Sequence, residues 1–241
     1  MTPARPPGSD ALRETLAYYR DLGVAELYLE RSEEHQRISV KSKTGEEDAA
    51  LLQPLALEVS GCGKCRLCKT RKQTVFADGS PRARIMFIGE APGADEDAQG
   101  LPFVGRAGQL LTRMIEDGMG LPRSSVYIAN VLKCRPPENR NPEPDEISAC
   151  RGYLERQIDL VKPEVLVALG KFAAHFLLET EEGITRLRGK WGSYRGVPVM
   201  PTLHPSYLLR QPAQKKEAWE DLLAVLARLG IEAPVRKGKQ P

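Results

Sequence analysis

Apolar and polar positions follow two alternating patterns along most of the chain. Short apolar runs rich in β-branched residues occupy residues 84–89 (RIMFIG), 126–132 (VYIANVL), 165–169 (VLVAL) and 197–203 (VPVMPTL). Helical periods lie between or after them, at residues 108–118, 144–161, 171–179 and 214–229. Strands separated by helices predict an α/β fold whose parallel sheet is covered on both faces, with functional loops at the carboxyl ends of the strands.

The first sixty residues have a different pattern. After the possible helix caps Ser9 and Asp10, apolar residues recur near helical spacing and predict one or two helices over residues 9–30. Residues 32–48 are polar and charged, which predicts a flexible linker, and residues 49–59 predict a short helix. We therefore expect an N-terminal extension over residues 1–61, a main domain over residues 62–230 and a basic tail over residues 231–241.

Composition and charge narrow the class of protein. The 241 residues are 41% hydrophobic, enough to fill a core, and no run approaches the roughly 20 apolar residues of a membrane span. Since the N-terminus also lacks the apolar region of a signal peptide, we expect a cytoplasmic protein that does not associate with membranes. Residues 1–61 hold 7 Lys and Arg against 11 Asp and Glu, whereas the remainder holds 28 against 21. The excess of basic residues in the main domain is compatible with phosphate binding.

The spacing of five cysteines indicates a possible metal site. Cys62 and Cys65 are three positions apart, Cys68 follows at the same spacing, and Cys134 and Cys150 come from a distant segment. Such spacing suits a four-thiolate zinc site and an iron–sulfur cluster about equally, and buried thiols without metal are the simpler alternative. Spacing also leaves Cys68 as a competing ligand. Disulfides are not expected in a cytoplasmic chain.

Candidate binding and catalytic residues lie at the ends of three predicted strands. The first strand runs into Gly89-Glu90-Ala91-Pro92-Gly93, a tight turn whose backbone can approach a ligand closely, followed by acidic residues 95–97 and by residues 102–105 (PFVG). The second strand carries Asn130, whose amide needs a partner when buried and suits the edge of a nucleobase. The alternative for each motif is an ordinary loop or a local cap.

A histidine motif follows the fourth strand. His204 is the histidine placed where strand ends converge, whereas His35 lies in the predicted linker and His175 within a predicted helix, where a structural role is expected. After His204, the pairing of Leu208 and Leu209 with Arg210 suggests an apolar wedge and a phosphate contact. The alternative is a helix start with two core leucines.

Together, GEAPG, PFVGRAGQLL, NVLKCRPPENRNP and HPSYLLR, in this order and spacing, closely resemble family four, the thermostable-type uracil-DNA glycosylases. The resemblance covers about residues 62–229. It implies a three-layer α/β/α sandwich around a four-stranded, mainly parallel sheet. It also implies a 4Fe-4S cluster held by the four cysteines that match the family's ligand positions, which are Cys62, Cys65, Cys134 and Cys150, and it leaves Cys68 outside the set.

The same resemblance assigns a uracil pocket and an activity. The pocket maps onto the backbone of Glu90 and Ala91, the ring of Phe103, the amide of Asn130 and the imidazole of His204. Ala91 stands where the best-known uracil glycosylases carry a water-activating Asp. The implied activity is hydrolysis of the N-glycosidic bond of uracil in single- or double-stranded DNA, the first step of base excision repair.

Roles for individual side chains follow from this activity. We expect His204 to stabilise the departing uracil, and Glu90, with Glu96 as the second candidate, to position water. Leu208 and Leu209 would fill the gap left by a flipped base while Arg210 holds phosphate. Alternatives are an iron–sulfur DNA-binding module and a protein that traps uracil-DNA without turnover. We further expect a monomer whose N-terminal extension docks a replication or repair partner.

Overall fold

The computed structural model describes residues 45–234, and side chains from residue 50 onward. The helix predicted over residues 9–30, the linker up to residue 44, His35 and the tail from residue 235 lie outside the described residues.

Within this range the strands form one six-stranded sheet in the order β1-β3-β2-β4-β6-β5. The strands are β1 (Asp78–Gly79), β2 (Ile85–Gly89), β3 (Tyr127–Asn130), β4 (Val165–Leu169), β5 (Gly192–Tyr194) and β6 (Val197–Thr202). The four predicted strands are the central β3, β2, β4 and β6, which pair in parallel. Two short edge strands, β1 and β5, add antiparallel pairs that were not predicted, because two or three residues are too short to show an alternating pattern.

Helices flank the sheet and mostly match the predicted periods. The α-helices of the described residues are α1 (Gly45–Ser60), α2 (Ala94–Gln99), α3 (Arg106–Arg113), α4 (Pro144–Val161), α5 (Lys171–Leu178), α6 (Ile184–Leu187), α7 (Pro205–Arg210) and α8 (Lys215–Arg228). A π-helical turn, Met114–Gly118, continues α3. Because α1 begins at Gly45, the linker predicted over residues 32–48 is wrong for its last four positions. Acidic residues, which suggested a linker, are also favoured in the first turn of a helix.

Alternate residues of the central strands face opposite helical layers. Ile85 and Phe87 of β2 belong to one core cluster, which also contains Leu110 of α3 and Leu222 of α8. Met86 and Ile88 belong to the other, together with residues of α4 and α5. Since β2 and β4 are buried on both faces, their uninterrupted apolar runs are what a covered parallel sheet requires. The three-layer sandwich is confirmed.

A third cluster joins α1 to the cysteine segments. Leu55 and Val59 of α1 pack with Leu67, Cys134 and Cys150, and all five side chains are buried. The helix predicted over residues 49–59 therefore contributes to the core beside the cysteines. No helix in the described part of the chain is long and apolar enough to span a membrane.

The parallel strands place their carboxyl ends at one edge of the sheet. β2 ends at Gly89, β3 at Asn130, β4 at Leu169 and β6 at Thr202. β3 ends two residues earlier than predicted, although the N–H groups of Val131 and Leu132 still donate to the carbonyls of Gly89 and Glu90, each over 3.0 Å. The predicted binding and catalytic residues lie at this edge.

Candidate active site

A cavity of about 490 Å³ lies at the carboxyl edge of the sheet. This volume is within the usual range for small-molecule sites. Seven of the predicted site residues line it, and they come from the end of β3 and from the segments that follow β2 and β6: Glu90, Ala91, Glu96, Phe103, Asn130, His204 and Arg210. The strand ends therefore bring together residues that are more than a hundred positions apart in sequence.

Phe103 forms an apolar wall and is held by two glycines. Its backbone has a left-handed φ of 55°, uncommon for a bulky residue, and its ring lies 5.7 Å from the His204 ring, centroid to centroid. A Cβ on Gly89 would meet the Phe103 ring at 2.5 Å, and one on Gly108 would meet the Phe103 carbonyl at 1.9 Å. Both positions need glycine so that Phe103 can lie against the pocket.

Arg123 braces the segment before Phe103, and sequence reasoning missed it. Its guanidinium donates to the Pro102 carbonyl (2.9 Å), to Thr112 of α3 (2.8 Å) and to Asp78 of β1 (3.0 Å). One largely buried arginine thus ties the Phe103 loop to a helix and an edge strand. No pattern within its own segment indicates these three partners, which are distant in sequence.

Asn130 presents an unpaired polar atom to the cavity. Its side chain is 2% exposed, and its Oδ1 is buried without a hydrogen-bond partner. Leaving a buried carbonyl oxygen unpaired is unfavourable, so such an atom in a cavity wall indicates a missing donor. The arrangement is suited to a ligand that offers an N–H group at this position.

His204 is held in one tautomer by the start of α7. Its Nδ1 accepts the backbone N–H of Ser206 at 3.1 Å, and the Ser206 hydroxyl lies 2.8 Å away. Burial, together with nearby Arg210, lowers the pKa of His204 to about 4. The ring is therefore neutral at physiological pH, and its proton resides on Nε2, which is available to donate to a ligand.

Glu90 is the carboxyl group of the cavity with a strongly altered acidity. Burial raises the pKa of Glu90 to about 7, although the charge of nearby Lys171 opposes the shift. A carboxylate with this pKa can accept a proton near neutral pH.

Glu96 has a different environment. One of its oxygens accepts the N–H of Gly93 (3.0 Å), and the other accepts the N–H groups of Val104 and Gly105 (2.9 Å each). It therefore ties the turn after β2 to the segment after Phe103. With both oxygens engaged, this carboxylate is better placed to shape the wall than to activate water.

The wedge predicted after His204 needs correction. Leu208 is 0% exposed and packs in the core with Leu110 and Met114, so inserting it into DNA would empty a core position. The prediction that Leu208 intercalates is therefore wrong, and its alternative as a core leucine holds. Leu209 is partly buried against the core, and Arg210 is exposed at the cavity.

Several lining residues escaped sequence reasoning. Tyr207, Arg106, Arg140 and Lys171 line the cavity and add three cations to that of Arg210. Lys171 directly follows the turn after β4, the one central strand to which no site residue was assigned. Ligands bind at the carboxyl ends of parallel strands, and applying this rule to β4 as well would have predicted Lys171 as a site residue.

His175 lies away from this cavity. Its Nε2 is 2.9 Å from the carbonyl oxygen of Glu182, a local contact at the end of α5. This position agrees with the structural role expected for it.

The five cysteines line a second, small cavity of about 10 Å³, together with Lys133. Within the described residues, no three His, Cys, Asp or Glu side chains converge closely enough to hold a single ion. A zinc site would need all four thiolates at about 2.3 Å from one ion. The donor set itself is one that iron–sulfur clusters use, since five thiols from two segments line one space.

Two hydrogen bonds to sulfur support this fit. The Arg71 guanidinium donates to Sγ of Cys134 at 3.1 Å, and the backbone N–H of Lys133 donates to Sγ of Cys150 at 3.3 Å. Donors aimed at sulfur stabilise thiolates that ligate metal, and three cations that line the same space favour a negatively charged group. Cys68 also lines the space, so the geometry alone does not reduce the five thiols to four.

Comparison with known proteins identifies close relatives of the chain. A family model described as the Uracil DNA glycosylase superfamily matches residues 76–223. The type-4 uracil-DNA glycosylase of Sulfurisphaera tokodaii is 46% identical over 180 residues, covering 70% of this chain and 81% of the relative. That of Saccharolobus solfataricus is 46% identical over 182 residues, covering 72% and 84%. The enzyme of Archaeoglobus fulgidus is 42% identical over 193 residues, covering 76% and 96%.

Proposed function

The chain belongs to the uracil DNA glycosylase superfamily, and from its likeness to type-4 members we infer that it removes uracil from DNA in base excision repair. It is a hydrolase of N-glycosidic bonds, and its substrate is uracil-containing DNA. The observation that carries this function is the unpaired Oδ1 of Asn130 in a cavity that also holds the neutral imidazole of His204. The place of action we propose is the cytoplasm.

Base recognition rests on Asn130 and Phe103. Uracil offers an N3–H donor beside an O4 acceptor, which complements the Oδ1 and the N–H groups of one amide. Cytosine has an acceptor at N3 and a donor at the exocyclic amine, so the same amide would face it with mismatched groups. Phe103 stacks on the flipped ring, a type of contact worth roughly 1–3 kcal/mol.

His204 stabilises the leaving group. When the C1′–N1 bond breaks, the electron pair goes to uracil, and negative charge builds on its O2. A neutral imidazole that donates from Nε2 to this oxygen stabilises the charge as an oxyanion site does. Ser206 keeps the tautomer correct by donating its N–H to Nδ1.

Glu90 is the residue we propose to position water. The water oxygen forms the new bond to C1′ and releases a proton, which the Glu90 carboxylate accepts. Ala91 has no group that could do this, and the two oxygens of Glu96 are already engaged. Glu96 then acts by fixing the walls of the pocket, including those near the C5 position of the base.

The rim binds the DNA backbone. Arg210 and Lys171 are exposed at the mouth, where phosphates of a flipped nucleotide would pass. Leu209 is the apolar side chain of this motif that remains partly exposed, and we propose that it contacts the gap in the base stack.

We propose a 4Fe-4S cluster on Cys62, Cys65, Cys134 and Cys150. The thiols that line one space, the N–H donors to two of them and the neighbouring cations support it. A bound cluster would join the segment of Cys62 and Cys65 to the loop between Cys134 and Cys150. We propose a structural role for it, because this loop begins only four residues after Asn130.

A pH profile tests the role of Glu90. Because its pKa is about 7 in the free protein, the carboxylate form is lost as the pH falls through 7, and kcat/KM should fall with it. His204 remains neutral across this range, since its pKa is about 4. We expect Glu90→Gln to lower kcat and to abolish this pH dependence when uracil release is measured on both sides of pH 7. A variant that keeps the wild-type profile would assign the water to another group.

Gly89 offers a test of the pocket geometry. A Cβ there would lie 2.4 Å from Oδ1 of Asn130 and 2.5 Å from the Phe103 ring, so Gly89→Ala should raise KM and lower kcat by displacing both. Gly152→Ala, in α4, is the matched control, since nothing lies within 4 Å of the added carbon. We expect the control to keep wild-type kinetics and to raise the melting temperature slightly, because alanine favours helix. Equal kinetics for the two variants would contradict this geometry.

One assay tests the function itself. The full chain is incubated with a uracil-containing oligonucleotide, and the products are separated. Free uracil and an abasic strand are expected. A covalent protein–DNA adduct, or binding without release, would overturn the assignment.

A further inference from the structure

Lys133 lies between the cysteine cavity and the base pocket and touches both. It is 1% exposed and lines the cavity formed by the cysteines. Its backbone N–H donates to Sγ of Cys150 at 3.3 Å, and its ammonium donates to the backbone carbonyl of Asn130 at 2.7 Å. A single residue thus contacts a proposed cluster ligand and the residue that presents the base-reading amide.

The burial of this ammonium requires a negative partner. A buried cation is stable only when it is paired and hydrogen-bonded. Lys133 forms no ion pair with a carboxylate among the described residues, and it lies beside the cysteines that line the second cavity. Thiolates that ligate a metal group would supply the negative charge that this lysine lacks.

The other contact bears on substrate recognition. Asn130 is the last residue of β3, and its backbone carbonyl accepts the Lys133 ammonium, whereas its side-chain Oδ1 is the unpaired atom in the pocket wall. An ammonium bound to this carbonyl holds the last peptide of the strand, and hence the direction of the amide. Losing the ammonium would leave a buried carbonyl unpaired at the place where orientation matters most.

We propose that Lys133 is a positioning residue that couples the cysteine-bound cluster to the base-reading amide of Asn130. The negative charge of the cluster keeps the ammonium buried, and the ammonium keeps Asn130 in register with uracil. This inference rests on the proposed function, because it takes both the cluster and the uracil pocket as given.

Arg71 provides a matched comparison. Its guanidinium donates to Sγ of Cys134 at 3.1 Å, as well as to the carbonyl of Cys62 at 2.8 Å. It is thus another cation beside the cysteines, but its hydrogen bonds go to Ser60, Cys62 and Cys134, and none reaches Asn130. Removing it should affect the cluster alone.

The test compares Lys133→Met and Arg71→Met in the full, iron-loaded chain. Two readouts are independent of turnover: the rate at which a chelator bleaches the cluster, and the Kd of free uracil measured by protein fluorescence. Both variants should bleach faster than wild type. Lys133→Met alone should also weaken uracil binding, by roughly 10- to 100-fold, and should raise KM more than it lowers kcat.

Different failures have different meanings. If Lys133→Met binds uracil as tightly as Arg71→Met, or bleaches at the wild-type rate, the coupling is wrong. If Lys133→Met does not fold, Lys133→Gln, which keeps an N–H donor without the charge, should still bleach faster and bind uracil less tightly than wild type. Wild-type values for that variant would likewise overturn the coupling. If the wild-type chain holds no iron or releases no uracil, the proposed function fails instead.

Discussion

Replacing His204 by alanine is expected to lower kcat for uracil release by roughly 10²- to 10³-fold, the usual cost of removing one donor to a developing oxyanion. The Nε2–H group is the neutral donor in the pocket whose proton is fixed in place, because Nδ1 already accepts the N–H of Ser206. The substituted chain should still fold, since His204 caps a helix of only six residues. Single-turnover kinetics on a uracil oligonucleotide, with circular dichroism as the folding check, measure the effect.

His175→Ala is the matched control for this substitution. That histidine is not among the residues that line the cavity, and its ring forms a hydrogen bond with a local carbonyl after α5, so its loss should leave kcat at the wild-type value. If His204→Ala also released uracil at the wild-type rate, the leaving group would have to be stabilised by another residue of the pocket.

Replacing Cys150 by alanine is expected to abolish the brown colour and the visible absorbance of the purified protein. Cys150 is buried in the cluster of side chains that joins α1 to α4, and the N–H of Lys133 points at its sulfur. Without the metal group, the facing segments lose the centre that holds them together, so the melting temperature should also fall markedly. Iron content, absorbance and thermal unfolding check these outcomes.

Cys68→Ala separates the proposed ligands from the fifth thiol. Cys68 lines the same space, but the resemblance to family four leaves it outside the ligand set. The variant should keep wild-type iron content and absorbance. Loss of iron in Cys68→Ala together with retention in Cys150→Ala would reverse the assignment of these two cysteines.

The sequence by itself determined the architecture. The uninterrupted apolar runs of β2 and β4 suit only a sheet that is covered on both faces, and the helical periods between them require parallel neighbours. This arrangement in turn placed Glu90, Asn130 and His204 at one edge, since the carboxyl ends of parallel strands coincide. Edge strands as short as β1 carried no periodic signal, and they became visible only through their pairing with β3.

Only the tertiary structure decided which of these residues can do chemistry. Glu90 and Glu96 are equivalent as sequence letters, but burial raises the pKa of one, while backbone N–H groups occupy both oxygens of the other. Leu208 and Leu209 are adjacent, yet one is in the core. The link from Lys133 to Asn130 was likewise invisible in the sequence. Burial and hydrogen-bond partners depend on segments far apart in the chain, and a local pattern contains no information about those contacts.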